Sequence, residues 1–153
     1  MKAIGAMSRN RAIGLDSGLP WHIPEDLRWY RKTTSGQMVV MGRKTFMPLR
    51  TKLDDCEVVV ISRSLEPIPG VKVLQDVEAV KTLKTDKEIW ICGGAEIYAQ
   101  TLAFCSDLYL TLVKREVEGD AFFPPFEHLF DHHAVIRDEA EFTIHHYRAK
   151  KAQ

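Results

Sequence analysis

Unbroken apolar runs alternate with amphipathic stretches along the first two-thirds of the chain. Residues 2–7, 38–41, 57–61, 71–74 and 88–92 read as short strands, and the runs Val39-Val40-Met41 and Val58-Val59-Val60-Ile61 suit strands covered on both faces. Between them the spacing predicts helices over 24 to about 34, 44 to about 49, 77–83 and 95–103. Strands separated by helices form a mostly parallel sheet. The pattern then changes to Leu108-Tyr109-Leu110-Thr111-Leu112-Val113 and to a final pair of runs at 134–137 and 142–147. That pair predicts an antiparallel hairpin that makes the sheet mixed. No repeat, low-complexity segment or linker interrupts residues 1–153, so one α/β domain is expected.

Composition narrows the function classes. With 153 residues and a formal net charge of zero, the chain lacks the basic footprint of a nucleic-acid binder and any dense cationic run for an anionic membrane surface. An anion must therefore be bound locally. Cys56, Cys92 and Cys105 are odd in number and form no C-x-x-C pair, which argues against a disulfide framework or structural zinc and suits a reducing cytoplasm. The short apolar run at the amino terminus reads as a buried strand rather than a signal peptide, and no stretch is long enough to span a bilayer. With no long exposed apolar stripe, a monomer is expected.

One carboxylate stands out. In the helix that starts at Pro24, Ile23, Asp26, Leu27 and Tyr30 share one face at three- and four-residue spacing, and the rest of that face is apolar. An unpaired ion there costs several kcal/mol, an amount that a cationic or proton-sharing ligand could offset. A first-turn acid that simply favours the helix dipole explains the same residue. Both readings stand at this level.

Two strands lead through glycine into a helix, an arrangement that can offer backbone N–H groups to an anion. Gly42-Arg43-Lys44-Thr45 adds two cations and a hydroxyl, and Cys92-Gly93-Gly94-Ala95 permits close backbone approach, although neither matches G-x-G-x-x-G. Together with Ser62-Arg63 they could cradle one nucleotide across the carboxyl ends of parallel strands. The loop 14–21 has the composition of a lid. His132-His133 and His145-His146 lack ligand-spaced partners, so solvated histidines are expected rather than a metal site. Phe122, Phe123, Phe126 and Phe130 read as core or loop anchors, and no nucleophile motif is present.

In combination these segments resemble dihydrofolate reductase of the bacterial, chromosomal type, over about residues 2–147. The resemblance rests on Ala12-Ile13-Gly14, Leu19-Pro20-Trp21 through Pro24-Glu25-Asp26-Leu27, Met41-Gly42-Arg43-Lys44-Thr45, Gly93-Gly94-Ala95 with Tyr98, Leu110-Thr111, and Val117-Glu118-Gly119-Asp120 followed by Phe123-Pro124. It implies an eight-stranded, mostly parallel mixed sheet with an antiparallel C-terminal strand and about four flanking helices. The implied activity is reduction of 7,8-dihydrofolate to tetrahydrofolate with NADPH, by hydride transfer to the pterin and protonation of the adjacent ring nitrogen.

The same resemblance implies roles residue by residue. Asp26 would be the ionisable group of the pterin pocket, Thr111 would bond its carboxylate and Trp21 would hold an ordered water. Ile4, Gly5, Leu27, Tyr30, Leu49, Arg50, Lys52 and Leu53 would complete the substrate pocket. Ala6 and Ile13 would hold the carboxamide of nicotinamide, beside Gly14, Ser17, Gly18 and Leu19 of the lid. Lys44, Thr45, Gly94, Ala95 and Ile97 would line the pyrophosphate path, with Gly42, Cys92, Gly93, Glu96 and Tyr98 as further cofactor-binding residues and a cis Gly93–Gly94 bond. Arg43 and Arg63, with Ser62, would receive the 2′-phosphate, where two guanidiniums favour NADPH over NADH, and Gln75 would be a further cofactor-binding residue.

The pattern departs at Leu53-Asp54-Asp55-Cys56, where Cys56 occupies the position of the arginine that grips the substrate's glutamate tail in the family. Losing such a contact costs roughly 1.5 to 3 kcal/mol of binding. Arg50, Lys52, Arg31 or Lys32 could compensate; alternatively the substrate is a dihydropterin without that tail. A non-catalytic nucleotide-binding module would leave Asp26, Thr111 and Trp21 without a shared purpose. The related reductases of riboflavin synthesis lack the Pro-Trp and Pro-x-Asp-Leu segment.

Overall fold

A computed structural model describes residues 1–16, 18–53 and 55–151. The strands are β1 (Lys2–Ser8), β2 (Ala12–Gly14), β3 (Met38–Gly42), β4 (Glu57–Ile61), β5 (Val71–Leu74), β6 (Ile89–Ile91), β7 (Asp107–Val113), β8 (Ala121–Phe122), β9 (Phe130–Asp138) and β10 (Phe142–Ala149). The α-helices are α1 (Pro24–Thr34), α2 (Arg43–Leu49) and α3 (Ala95–Thr101). Eight strands form one sheet in the order β5-β4-β3-β6-β1-β7-β10-β9, in which β10 alone runs opposite to the other seven. The expected mixed α/β sheet is present.

The apolar runs occupy the centre of this sheet because both of its faces are covered. Val39, Met41, Val58, Val60, Ile4 and Trp90 pack under Trp29 and Tyr30 of α1 and Phe46 of α2. On the opposite face Ala3, Val40, Val59, Ile91, Leu108 and Leu110 pack with Ile97, Tyr98 and Leu102. Continuous hydrophobicity is what a doubly covered parallel sheet requires. Helix α1 therefore lies on one face and α3 on the other.

Three features differ from expectation, each for a local reason. The helix expected over 77–83 is a 3-10 helix, Val77–Thr82. Its buried residues Val77 and Val80 are spaced by three, which matches that helix's period, and β-branched residues are poor α-formers. Helix α3 stops at Thr101, whose hydroxyl bonds back to the Ile97 carbonyl at 2.6 Å, and a 3-10 turn, Leu102–Phe104, continues it. Strand β9 starts at Phe130 rather than 134, because Asp131, His132 and His133 are tolerated on an exposed edge strand.

A second sheet, β2 with β8, is too short to show a period in sequence. It fastens the loop 14–21. Asp120 Oδ2 accepts the Asp16 N–H at 2.9 Å, and Leu15 and Gly18 exchange two backbone hydrogen bonds of 2.9 Å across the turn. Gly119 sits where a Cβ would lie 2.7 Å from that of Ala12. The loop is thus tied at its base, while Leu19 projects with 51% of its surface exposed.

Candidate active site

Thr111 sits in β7 beside Ala6 of β1, on the sheet face that α1 covers. Pro24 starts α1 with a ring nitrogen that has no N–H and so needs no acceptor, and the helix then points Asp26 down onto the sheet. Thr111 Oγ1 donates to Asp26 Oδ1 at 2.7 Å, although the two residues are 85 positions apart. Asp26 is only 8% exposed. Burial raises its carboxyl above the ordinary aspartate value, and the Thr111 bond opposes that rise.

The walls around this carboxylate are apolar. Trp21 and Ile23 are buried with Val113, Phe142 and Ile144 at one side. Ile4, Leu53, Tyr30 and Leu49 belong to the cluster at the other, and Leu27 follows Asp26 on α1. The Tyr30 hydroxyl is buried with no hydrogen-bond partner among the described residues. Burial pushes it far above an ordinary phenol, and it lies beside the Cys92 thiol, which burial raises to about 12. Cys92 is therefore a packing residue and not a nucleophile at neutral pH.

The glycine-bordered edge lies at the carboxyl ends of β3 and β6. Gly93–Gly94 is a cis peptide bond, as the resemblance implies, and Gly93 has φ +102°. The Gly42 N–H donates to the Gly93 carbonyl at 2.9 Å, joining the two glycine turns into one cradle. A Cβ on Gly94 would approach Thr45 Oγ1 to 3.4 Å, so the floor there is backbone. Tyr98 reaches back from α3, and its hydroxyl donates to the Ile4 carbonyl at 2.6 Å. Gly5 is required beneath it, because a Cβ there would lie 2.6 Å from the Tyr98 oxygen.

This cradle suits a dinucleotide carrying several phosphates. Arg43, Lys44 and Arg63 are exposed and join no ion pair among the described residues. The Ser62 oxygen accepts the Ser64 and Leu65 N–H groups, which leaves its own proton free to donate. Gln75 follows Leu74, whose carbonyl accepts the Ser62 N–H at 2.9 Å, so Ser62, Arg63 and Gln75 converge at the ends of β4 and β5. Helices α2 and α3 have seven residues each, so glycine backbone and cations matter more here than helix dipoles.

Other expected residues lie less centrally. Ala6 pairs in register with Thr111 and packs against the Trp21–Ile23 cluster, Ile13 packs against the core of the other face, and Gly14, Gly18 and Leu19 belong to the segment that follows Ile13. Ser17 lies outside the described residues. Ala95 and Glu96 open α3, with Glu96 exposed and Ile97 packed over Gly42. Arg50 and Lys52 form an exposed 3-10 turn, Arg50–Lys52, between α2 and Leu53. The Cys56 thiol donates to the Thr34 carbonyl at 3.3 Å, tying its loop to the end of α1.

Sequence reasoning missed several partners. Asp120 gave no signal as the acceptor for the loop backbone, since its partner Asp16 is 104 residues away. His132 and His133 are exposed as expected, but His146 is not solvated: it is 6% exposed. It lies 2.7 Å from Asp107 and stacks on Tyr109 at 4.2 Å. The alternation Phe142, Ile144, His146 on the inward face of β10 was the available clue. Among the described residues no three His, Cys, Asp or Glu side chains converge as a metal site.

A protein-family model described as dihydrofolate reductase matches residues 1–149. The chain belongs to the dihydrofolate reductase family. It is 41% identical to a dihydrofolate reductase of Haemophilus influenzae over 122 residues, covering 79% of this chain and 76% of the relative. It is 37% identical to that of Bacillus subtilis over 126 residues, covering 81% and 75%. A solved dihydrofolate reductase from Enterococcus faecalis, complexed with NADP(H) and RAB-propyl, superposes with a TM-score of 0.86 at 26% identity, covering 98% of this chain and 96% of that one. No helix of the described residues is long and apolar enough to cross a membrane.

Proposed function

We propose that this protein reduces 7,8-dihydrofolate to 5,6,7,8-tetrahydrofolate with NADPH. The observation that carries this reading is a carboxylate at 8% exposure, held by one threonine and placed beside a glycine-floored, cation-rimmed groove. When bound, NADPH supplies the hydride that passes to the pterin ring. Arg43, Arg63 and Ser62 receive the 2′-phosphate, Lys44, Thr45, Gly94, Ala95 and Ile97 line the pyrophosphate path, and the backbones of Ala6 and Ile13 orient the carboxamide.

Asp26 accepts hydrogen bonds from the pterin's amino group and ring nitrogen. Its negative charge, weakly screened among apolar walls, favours protonation of the ring nitrogen next to the carbon that accepts hydride. Trp21 holds the water that delivers this proton, and the loop above admits it. Ile4, Leu27, Tyr30 and Leu49 align the ring system so that the reacting atoms meet. Three unpaired cysteines suit a reducing cytoplasm, and we read the active species as a monomer.

The tail-less dihydropterin is not favoured as substrate, because the family match extends across the chain. Cys56 still cannot supply a cation. Arg50 and Lys52 are exposed cations in the preceding loop and take that part. Turnover of NADPH with 7,8-dihydrofolate, followed by loss of absorbance, should exceed turnover with a tail-less dihydropterin at equal concentration. Equal rates would remove the folate assignment, and no oxidation with either substrate would remove the enzyme reading.

A further inference from the structure

Two histidines outside the active site are close enough to act as one ligand pair. His132 Nε2 and His145 Nδ1 lie 3.0 Å apart, across the edge pair β9 and β10. Whichever nitrogen carries the shared proton, the other offers a lone pair to it. With metal–nitrogen bonds of about 2.0–2.1 Å, that separation subtends roughly 95° at a common ion, whereas a tetrahedral angle needs about 3.3–3.4 Å. An angle near 90° is the cis angle of tetragonal or octahedral coordination, the geometry preferred by Cu(II) and Ni(II) among late divalent ions.

We infer that His132 and His145 form a two-histidine chelate for a late first-row divalent cation of tetragonal or octahedral preference, which takes the place of their hydrogen bond as the donor ring moves its proton to its other nitrogen, and fastens β9 to β10. Both rings need only swing so that the lone pairs converge, and the Tyr147 ring, 5.3 Å from His132 and 6.0 Å from His145, walls the pair on one side.

The surroundings set the remaining coordination. The His132 ring is exposed and the His145 ring only partly buried, so solvent can complete the shell, and His132, though not His145, also borders a cleft of about 520 Å3 with Asp131, His133, Arg148, Lys150 and Lys151. The three cations in that cleft oppose a metal and Asp131 favours it, so affinity rests on the imidazole pair. The site is separate from the glycine-bordered groove and does not depend on the reductase reading. Its occupancy would stabilise the edge of the sheet by mass action on the folded state.

Titration calorimetry of the full chain with NiCl2 at pH 7.5, in a buffer that does not coordinate metal, tests this directly. Wild type should bind one Ni2+ and show a higher Tm with excess Ni2+. His132→Ala and His145→Ala should each weaken binding by at least about tenfold and abolish the Tm rise. His133→Ala, whose exposed ring instead meets His146 edge to face, should bind Ni2+ as wild type does. Wild type that takes up no Ni2+, or His132→Ala and His145→Ala proteins that bind it unchanged, would overturn the assignment. Turnover should stay unchanged in both variants, which confirms that each has folded.

Discussion

Thr111 on β7 donates a 2.7 Å hydrogen bond to the carboxylate of Asp26 on α1, and both side chains are buried. That bond joins the central sheet to the helix that covers it. It also opposes the effect of burial on Asp26, since a donor stabilises the charged form and an apolar wall destabilises it. Thr111→Val removes the donor but keeps the shape. The Asp26 carboxyl should then titrate at higher pH, displacing the pH profile of kcat/KM upward, and unfolding should require about 1–3 kcal/mol less. A profile with an unmoved midpoint would show that Thr111 is not tuning Asp26.

The raised carboxyl has a consequence for stability as well. Between the unfolded aspartate value, near 3.9, and the higher folded value, the folded chain binds this proton more tightly than the unfolded chain does. Stability from this group is present at low pH and declines as pH rises through that window. Asp26→Asn removes the titration, so urea unfolding should find the variant gaining on wild type from pH 4.5 to pH 7.5. A variant that loses ground over the same interval would contradict a raised carboxyl.

Tyr30 makes a related case without a charge. Its hydroxyl is buried and has no partner among the described residues, so the folded state carries an unmatched polar group. Tyr30→Phe should raise stability to unfolding by about 1–2 kcal/mol, because the hydroxyl's lost hydration is no longer incurred. Chemical denaturation measures this. A loss of stability would mean that the hydroxyl is satisfied in solution.

Gly5 and Tyr98 form a steric pair. A methyl at position 5 would lie 2.6 Å from the Tyr98 oxygen, so Gly5→Ala must displace the ring and break its bond to the Ile4 carbonyl. The expected cost is about 1–3 kcal/mol of stability, together with a lower kcat from the disturbed strand β1. The double variant Gly5→Ala with Tyr98→Phe should recover part of the stability, because the clashing oxygen is gone. No recovery would place the strain elsewhere.

Much of this architecture was readable from patterning, and the reasons differ by element. Helix α1 announced itself through Pro24 and three- and four-residue spacing, and β3 and β4 through apolar runs that only doubly covered strands need. Strands β2 and β8, of three and two residues, carry no period, and their pairing joins segments over a hundred residues apart. Asp26 was legible as an acid on an apolar face, but its partner Thr111 was reached only through resemblance, since propensity holds no information about contacts so distant in sequence. His146 was misjudged because paired histidines on an edge hairpin look polar from both sides. The inward position of His146 follows from the alternation of β10, and Asp107 provides the buried partner.

The charge on Asp26 is the centre of the chemistry, and Asp26→Asn tests it with little change of shape. Single-turnover oxidation of NADPH with saturating 7,8-dihydrofolate at pH 7 should slow by about 10²- to 10⁴-fold in this variant, the range associated with a lost acid–base contribution, while NADPH affinity stays within about twofold. A rate equal to wild type would contradict the role assigned to this carboxylate.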